Sequence, residues 1–228
     1  MDVACGTGVV ARHAAQHVGA SGHVPGLDLK PGMLAVASSH ATSSESAPIT
    51  WQEGNAMALP FPDQAFDVVL CQLGLQFFPD RAVALQEMRR VLTPHGHLAL
   101  LVWRSIQLSP GFAAFAEALE RHISADAAAI MHAPFVFGDT TDALYQLITH
   151  AGFHDVVIRF EVRMVRFPSP EALVQSYAAG SPLAGHVAGA DDMARARLFG
   201  DVRTALQSYV DDEGLAFPIQ GHLITART

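Results

Sequence analysis

The sequence is poor in the residues that mark several classes of protein. Lys30 is the single lysine among 14 basic residues, which stand against 22 acidic ones and leave a net charge of −8. The basic residues form no stripe along the chain. The composition therefore predicts no binding of nucleic acid through neutralisation of phosphates.

Cysteine and long apolar runs are also scarce. Cys5 and Cys71 are the only cysteines, so no disulfide framework is expected, and no Cys-x-x-Cys or His-rich cluster supplies a metal site. The longest strongly apolar stretch, residues 98–103, is too short to span a bilayer, and the first residues lack a secretory signal pattern. We therefore predict a cytoplasmic protein without a metal and without stable membrane insertion.

A regular alternation of strand-like and helix-like segments fills the first hundred residues. Strands are predicted at 2–4, 23–29, 49–53, 66–71 and 98–102, with helices between them and a turn at "TPHGH". The segment "FDVVLC" is a continuous apolar run, which is typical of a strand covered on both faces. The alternation predicts an α/β fold with a parallel sheet.

The second half is predicted to be mainly helical. Helices are expected after Ser109, Asp139, Ser169 and Asp191, and strands at 156–167 and 215–226. In the first of these strands one face carries Ile158, Phe160, Val162 and Met164. We predict one domain over 1–228, with a cofactor-binding half (1–104), a substrate-side half (105–228) and a helical insertion over 168–212.

Two segments near the start have the spacing of a nucleotide site. Small residues at Ala4, Gly6 and Gly8 let a ligand approach the backbone, and Asp28 follows Gly6 by 22 residues, at the end of the second strand. Doubly wound folds place an acid near this offset to bind ribose hydroxyls. Each segment alone also fits an ordinary turn or a helix cap, but the pair favours an adenosine-containing ligand.

Two more polar residues follow the third and fourth strands. Asn55 comes directly after the third strand, and Gln72 follows the fourth. Because parallel strands share one carboxyl edge, where ligands bind, these side chains are expected beside the glycine-rich turn. A turn-forming role is the alternative for Asn55.

The sequence resembles class I S-adenosylmethionine-dependent methyltransferases of the small-molecule type, which includes the ubiquinone/menaquinone-biosynthesis C-methyltransferases. The residues that carry the resemblance are "DVACGTG", "GLDLKPGML", "GNAMALPFPDQAFDVVLCQLGLQFFPD" and "ALQEMRRVLTPHGHLAL", within residues 2–101. The resemblance implies a Rossmann-like, doubly wound sheet of seven strands in the order 3-2-1-4-5-7-6, with strand seven antiparallel. A helical cap would lie between strands six and seven.

The resemblance also implies S-adenosyl-L-methionine as the cofactor and assigns residues to it. The methionine part would be held by Asp2 and by the turn, formed by Ala4, Cys5, Gly6, Thr7 and Gly8. The remaining roles would be Asp28 on the ribose hydroxyls, Leu29 and Met33 on the adenine ring, Asn55 and the backbone of Ala56 on the adenine amino edge, and Gln72 beside the methionine part.

The function implied is methyl transfer to the oxygen or carbon of a small-molecule acceptor. An apolar acceptor pocket would suit the aromatic and Met residues of the second half, although such residues at helical spacing are more often core; they are Phe112, Phe115, Met131, Phe135, Phe137 and Tyr177. Methyl transfer needs alignment in a dry pocket more than it needs a nucleophilic side chain, and a general base can assist. His186 is our candidate base, because it lies in the predicted cap, although a structural histidine is the plainer interpretation.

Two other functions stay open at this point. An NAD- or FAD-dependent oxidoreductase would account for Gly6, Gly8, Ala11 and Asp28, but it leaves the segment from Asn55 to Gln72 without a role. A methyltransferase-like protein without catalytic activity is the second.

The start of the sequence departs from the family pattern. Members have a longer first strand, and a helical segment before it that helps to close the pocket. We expect that the chain begins at a misplaced initiation codon or is a fragment, and that one wall of its cofactor pocket is missing.

Overall fold

The computed structural model describes residues 1–41 and 45–228, and strands alternate with helices in its first half. The strands are β1 (Asp2–Val3), β2 (Val24–Asp28), β3 (Ile49–Glu53), β4 (Phe66–Gln72) and β5 (Leu92–Trp103). The helices are α1 (Val9–Val18), α2 (Pro31–Ser39) and α3 (Arg81–Val91). The predicted cap of α3 is confirmed, because the Asp80 carboxylate accepts a hydrogen bond from the Val83 amide.

The second half contains α4 (Pro110–His122), α5 (Ala125–His132), α6 (Asp142–His150), β6 (His154–Phe167), α7 (Pro170–Ala179), α8 (Leu183–Gly189), α9 (Asp192–Ala205), β7 (Val210–Asp211) and β8 (Gly214–Arg227). Ser169 and Asp191 cap α7 and α9 as predicted. Asp139 does not cap α6, which begins three residues later. Its carboxylate instead accepts a hydrogen bond from the Ser105 amide at 3.3 Å.

The strands form one sheet in the order β3-β2-β1-β4-β5-β8-β6, with β7 paired to β8. Strands β1 to β5 pair in parallel. Strand β8 is antiparallel to β5, because Thr228 bonds to Gly96 while Gln220 bonds to Arg104, so the residue numbers run in opposite directions. The predicted Rossmann-like sheet is therefore confirmed, and the predicted strand seven is β8. The two-residue strand β7 was not predicted.

Strand β5 begins earlier than the sequence indicates. Residues 93–97, predicted to be a turn, belong to the strand. The pairing of β5 with β4 shifts its register here, since Phe66 is opposite Leu92 whereas Val68 is opposite His97. Pro94 and Gly96, which indicated a turn, therefore lie in an irregular part of a longer strand.

The chain forms two compact units. Unit 1 comprises Met1–Val102, Thr140–Arg159 and His222–Thr228, and unit 2 comprises Trp103–Asp139 and Phe160–Gly221. Helices α7 to α9 occupy the stretch expected to be a helical insertion. The single domain and its division into 1–104 and 105–228 stay predictions.

Unit 2 has an aromatic core around α4. Phe115 and Leu119 are fully buried, and the rings of Phe112 and Phe217 meet edge to face with their centroids 5.5 Å apart. A Cβ atom at Gly111 would lie 2.3 Å from the Phe217 ring, so the helix contacts this ring through bare backbone. Aromatic side chains at helical spacing thus form packed core here.

Candidate cofactor-binding site

A small cavity lies where β1 and β4 end, within unit 1. Its volume is about 200 Å³. It is lined by Asp2, Ala4, Cys5, Gly6, Thr7, Val9, Val10 and Gln72. The parallel register of β1 with β2 and with β4 brings these residues to the same carboxyl edge of the sheet. Six of the twelve residues predicted to bind the cofactor, Asp2, Ala4, Cys5, Gly6, Thr7 and Gln72, therefore line one cavity.

The turn from β1 into α1 is built from left-handed backbone. Ala4, Gly6 and Gly8 have φ angles of 56°, 55° and 78°. The Gly8 amide closes the turn by donating to the Cys5 carbonyl at 2.9 Å. No atom lies within 4 Å of the position that a Cβ of Gly6 would take, so the backbone there is open to a ligand.

Asp28 fastens this turn to the end of β2. Its Oδ2 accepts a hydrogen bond from the Gly6 amide at 2.8 Å, and its Oδ1 accepts one from the Lys30 amide at 2.9 Å. A carboxylate has about four lone-pair sites, so capacity for two ribose hydroxyls is left. Asp28 is half-buried, and its structural bonds hold it at the edge where a ribose would lie.

Trp51, a residue that the sequence analysis missed, supports the same turn from β3. Its ring atoms lie 2.3 Å from the position of a Cβ at Gly8, and 2.5 Å from that at Gly26. The ring therefore packs directly on the backbone of both glycines. Sequence periodicity gives no sign of this contact, because it joins β3 to residues in two other elements.

Asp2 is a buried acid with an unsatisfied oxygen. The residue is 1% exposed, and its Oδ2 has no hydrogen-bond partner among the residues that the structure describes. Burial raises the pKa of Asp2 to about 7, and the charge of Asp28 adds to this, while the amino terminus and the Ala11 amide lower it. A cationic ligand group in the cavity would satisfy this carboxylate, which fits the ammonium of a methionine moiety.

The end of β4 is also strained. Leu73 has a φ of 56°, and a Cβ at Gly74 would lie 2.6 Å from the Ala4 side chain and 2.8 Å from Cys71 Sγ. Burial raises the pKa of both cysteine thiols, Cys5 and Cys71, to about 12. Both are free, buried side chains, and burial favours the protonated thiol over the nucleophilic thiolate. Gln72 is exposed and faces the cavity.

The residues predicted to bind adenine lie beyond Asp28. Leu29 and Met33 are large apolar side chains that are 65% and 39% exposed. Asn55 is exposed and its Oδ1 accepts the Met57 amide at 2.9 Å, while Ala56 is buried. Asn55 thus forms the turn that the alternative interpretation required, and its amide nitrogen takes no part in that bond.

An ion pair on α3 holds the loop that contains Asn55. Glu87 accepts the Leu59 amide at 2.8 Å, and Arg90 donates to Glu87, to Asp63 and to the carbonyls of Leu59 and Phe61. The pair lowers the pKa of Glu87, chiefly through the hydrogen bond from Arg90. The i, i+3 spacing of Glu87 and Arg90 was visible in the sequence, but their loop partners were not.

His186 lies in α8 of unit 2 and is half-buried. It does not line the cavity described above. The aromatic residues considered for an acceptor pocket, including Phe112, Phe115 and Phe135, belong to the core of unit 2. The catalytic role of His186 stays a prediction.

Residues 1–41 and 45–228 contain no group of three or more His, Cys, Asp or Glu side chains placed to hold a metal ion. In the same residues, no helix has the length and apolar character required to cross a bilayer.

Comparison with known proteins identifies the family of the first hundred residues. A methyltransferase domain family matches residues 1–100. The resemblance to class I S-adenosylmethionine-dependent methyltransferases is confirmed. Demethylmenaquinone methyltransferase of Listeria monocytogenes is 43% identical over 101 residues, which are 44% of this chain and 43% of that protein. The chain therefore spans less than half of the length of this curated methyltransferase.

Solved structures extend the likeness in fold to the whole chain. The YcgJ protein of Bacillus subtilis aligns with a TM-score of 0.62 at 19% identity. The alignment covers 100% of this chain and 90% of the YcgJ chain. The [4+2]-cyclase SpnF has a TM-score of 0.56 at 18% identity, covering 100% of this chain and 74% of its own. Identities this low show the fold alone.

Proposed function

We propose that this protein binds S-adenosyl-L-methionine at the carboxyl edge of β1, β2 and β4 and transfers its methyl group to a small-molecule acceptor. The observation that carries the proposal is the pairing of two acids around one glycine-rich turn. Asp2 offers a buried, unsatisfied carboxylate oxygen, and Asp28 is fixed 2.8 Å from the Gly6 amide. One acid suits a cationic group and the other suits a ribose diol.

The chain's own residues would orient the cofactor. When bound, it supplies a methyl group already activated by a positive sulfur, so alignment is the main requirement. The Gly6–Gly8 turn would approach the methionine part, with Asp2 below it and Gln72 beside it. Leu29 and Met33 would cover adenine, whose amino edge would meet Asn55 and the Ala56 backbone.

The acceptor that we propose is an apolar ring compound methylated at carbon. Support comes from the 43% identity over 101 residues to a protein named demethylmenaquinone methyltransferase. Methylation at oxygen is the alternative. In either case the proposed general base is His186. We also propose that no nucleic acid takes part in the reaction and that the protein is cytoplasmic.

Binding separates this proposal from its main rival. S-adenosylhomocysteine should raise the Tm of the purified chain in a concentration-dependent manner, and NADH or FAD should leave it unchanged. Stabilisation by NADH alone would overturn the assignment in favour of an oxidoreductase. The family match already favours methyl transfer, because it includes residues 54–72, which a dinucleotide site leaves without a role.

Activity then tests the acceptor. Methyl groups carrying tritium should move from S-adenosylmethionine to reduced short-chain demethylmenaquinone, and not to a matched phenol or alkylamine. Transfer to the phenol would indicate oxygen methylation. Cofactor binding without transfer to any of the three would favour the methyltransferase-like protein without catalytic activity. His186→Ala should lower the rate and leave S-adenosylhomocysteine affinity unchanged; an unchanged rate would remove His186 from the mechanism.

A further inference from the structure

Strand β6 presents an exposed apolar face at the edge of the sheet. It is last in the strand order, and in the part of the chain that the structure describes no strand pairs with its outer side. Phe160, Val162 and Met164 are 56%, 49% and 63% exposed and share one face. An unprotected edge with apolar side chains is a template for pairing with another strand.

The opposite face of the same stretch carries charges of alternating sign. Glu161 and Arg163 form an ion pair with 2.9 Å between Oε2 and Nη2, and the Arg163 side chain is 74% exposed. Such a short acidic–basic repeat is complementary to itself when read in the opposite direction. The charge pattern therefore selects an antiparallel partner with the same sequence.

We propose that β6 pairs with β6 of a second copy of this chain, in antiparallel register about a two-fold axis through Val162. In this register Val162 is opposite its own counterpart, and Phe160 is opposite Met164 of the second copy. On the other face Glu161 is opposite Arg163, and by symmetry the pair occurs twice. The sheet becomes continuous across the two copies, and Phe160, Val162 and Met164 contact the same residues of the second copy side by side on one face.

A bilayer is the competing occupant of this face, and the charges argue against it. Membrane-surface segments carry an excess of Lys and Arg toward anionic lipid. Here Arg163 is paired with Glu161, and Arg166 is paired with Asp211 and lies 3.5 Å from Glu213. The Arg104 guanidinium stacks over the Phe160 ring, with 4.2 Å between its Cζ and the ring centroid. Arg104 also donates a hydrogen bond to Gln220 and lies 3.8 Å from Asp139. Arg163, Arg166 and Arg104 each lie beside an acid, so these three do not form a patch of unpaired positive charge.

A single cysteine on the axis tests the register. Val162→Cys should form a disulfide-linked dimer under mild oxidation, visible on a non-reducing gel. Val157→Cys is the matched control, since Val157 is on the same strand and 44% exposed. Its counterpart would lie ten residue positions away, or about 33 Å. The native cysteines are buried, so wild type gives the background.

Charge reversal tests the ion pairs. Sedimentation of the full chain over a concentration series should show a monomer–dimer equilibrium. Glu161→Arg and Arg163→Glu should each raise the dimer Kd at least about tenfold, because like charges then face each other twice. The double exchange, E161R with R163E, should restore dimer formation.

Three outcomes would overturn the proposal. In the first, wild type is a monomer at every concentration. In the second, the two cysteine variants crosslink equally. In the third, the single changes weaken the dimer and the double exchange does not restore it. Vesicles of phosphatidylcholine with phosphatidylglycerol identify the rival. If the wild-type monomer sediments with these vesicles and the Phe160→Ser variant does not, the face binds lipid.

Discussion

The amide of Gly6 donates a 2.8 Å hydrogen bond to Oδ2 of Asp28, joining two turns that lie 22 residues apart. The bond gives the acid a structural task in addition to its proposed contact with ribose. It also fixes the distance between the part of the site proposed for methionine and the part proposed for ribose.

Asp28→Ala should therefore weaken S-adenosylhomocysteine binding by at least about tenfold, because a charged acceptor for several donors is lost. Asp28→Asn keeps one oxygen for Gly6 and should lose less. Titration calorimetry measures both. Glu117→Ala, at an exposed acid in α4 of unit 2, is the control and should bind as wild type does. Equal binding by all three variants would remove Asp28 from the site.

Asp2 should make cofactor binding depend on pH. Without ligand, burial keeps its pKa near 7, so the carboxylate that would meet the ligand ammonium is largely protonated at pH 6. Affinity for S-adenosylhomocysteine should rise by up to about tenfold from pH 6 to pH 8. Asp2→Asn should bind more weakly at pH 8 and show a flatter profile. An identical slope in wild type and variant would assign the titration to another group.

The same group predicts a slope in stability. Asp2 holds its proton to about pH 7 when folded, whereas its ordinary pKa is 3.8. The folded state thus binds more protons between these values, so the contribution of Asp2 to stability is full below pH 4 and declines as pH rises toward 7. Denaturant unfolding at pH 5 and pH 7 should show this decline in wild type. The decline should be smaller in Asp2→Asn.

Any side chain at Gly26 is expected to lower the stability of the fold unless Trp51 is replaced by a smaller residue. A Cβ there would lie 2.5 Å from the indole, so Gly26→Ala should cost about 1–3 kcal/mol and lower the Tm. A second change, Trp51→Leu, should make the Ala substitution less costly. The control is Gly32→Ala in α2, where no atom lies within 4 Å of the new Cβ and helix propensity improves. Additive effects of Gly26→Ala and Trp51→Leu would contradict the contact.

Arg90 should affect binding through the loop after β3. It donates to the carbonyls of Leu59 and Phe61 and to Glu87, which holds the Leu59 amide. Arg90→Ala should therefore raise the Kd for S-adenosylhomocysteine several-fold. Arg89→Ala is the control on the same helix, since Arg89 donates instead to Gly152 and does not touch the loop. A similar loss of affinity in both variants would indicate general destabilisation.

The parallel pairing of the first strands was predictable from a local pattern, whereas the order of the whole sheet was implied by the resemblance to a family. Alternating strands and helices imply a parallel sheet. Asp28 and Gln72 end their strands and Asp2 lies in the two-residue strand β1, so the parallel pairing puts all three near one edge. The cap of α3 at Asp80 is local in the same way. Asp139 shows the limit, since the residue type allowed a cap but packing against Ser105 and Arg104 decided its use.

The sequence by itself determined the class of fold, the resemblance to a methyltransferase family and the candidate residues, because all three depend on residue types at fixed spacings along the chain. Tertiary structure alone decided the support of the turn by Trp51, the loop held by Glu87 and Arg90, and the exposed face of β6. Those features join residues that are distant in sequence. They depend on which side chains meet after packing, and no periodicity in the chain encodes such meetings.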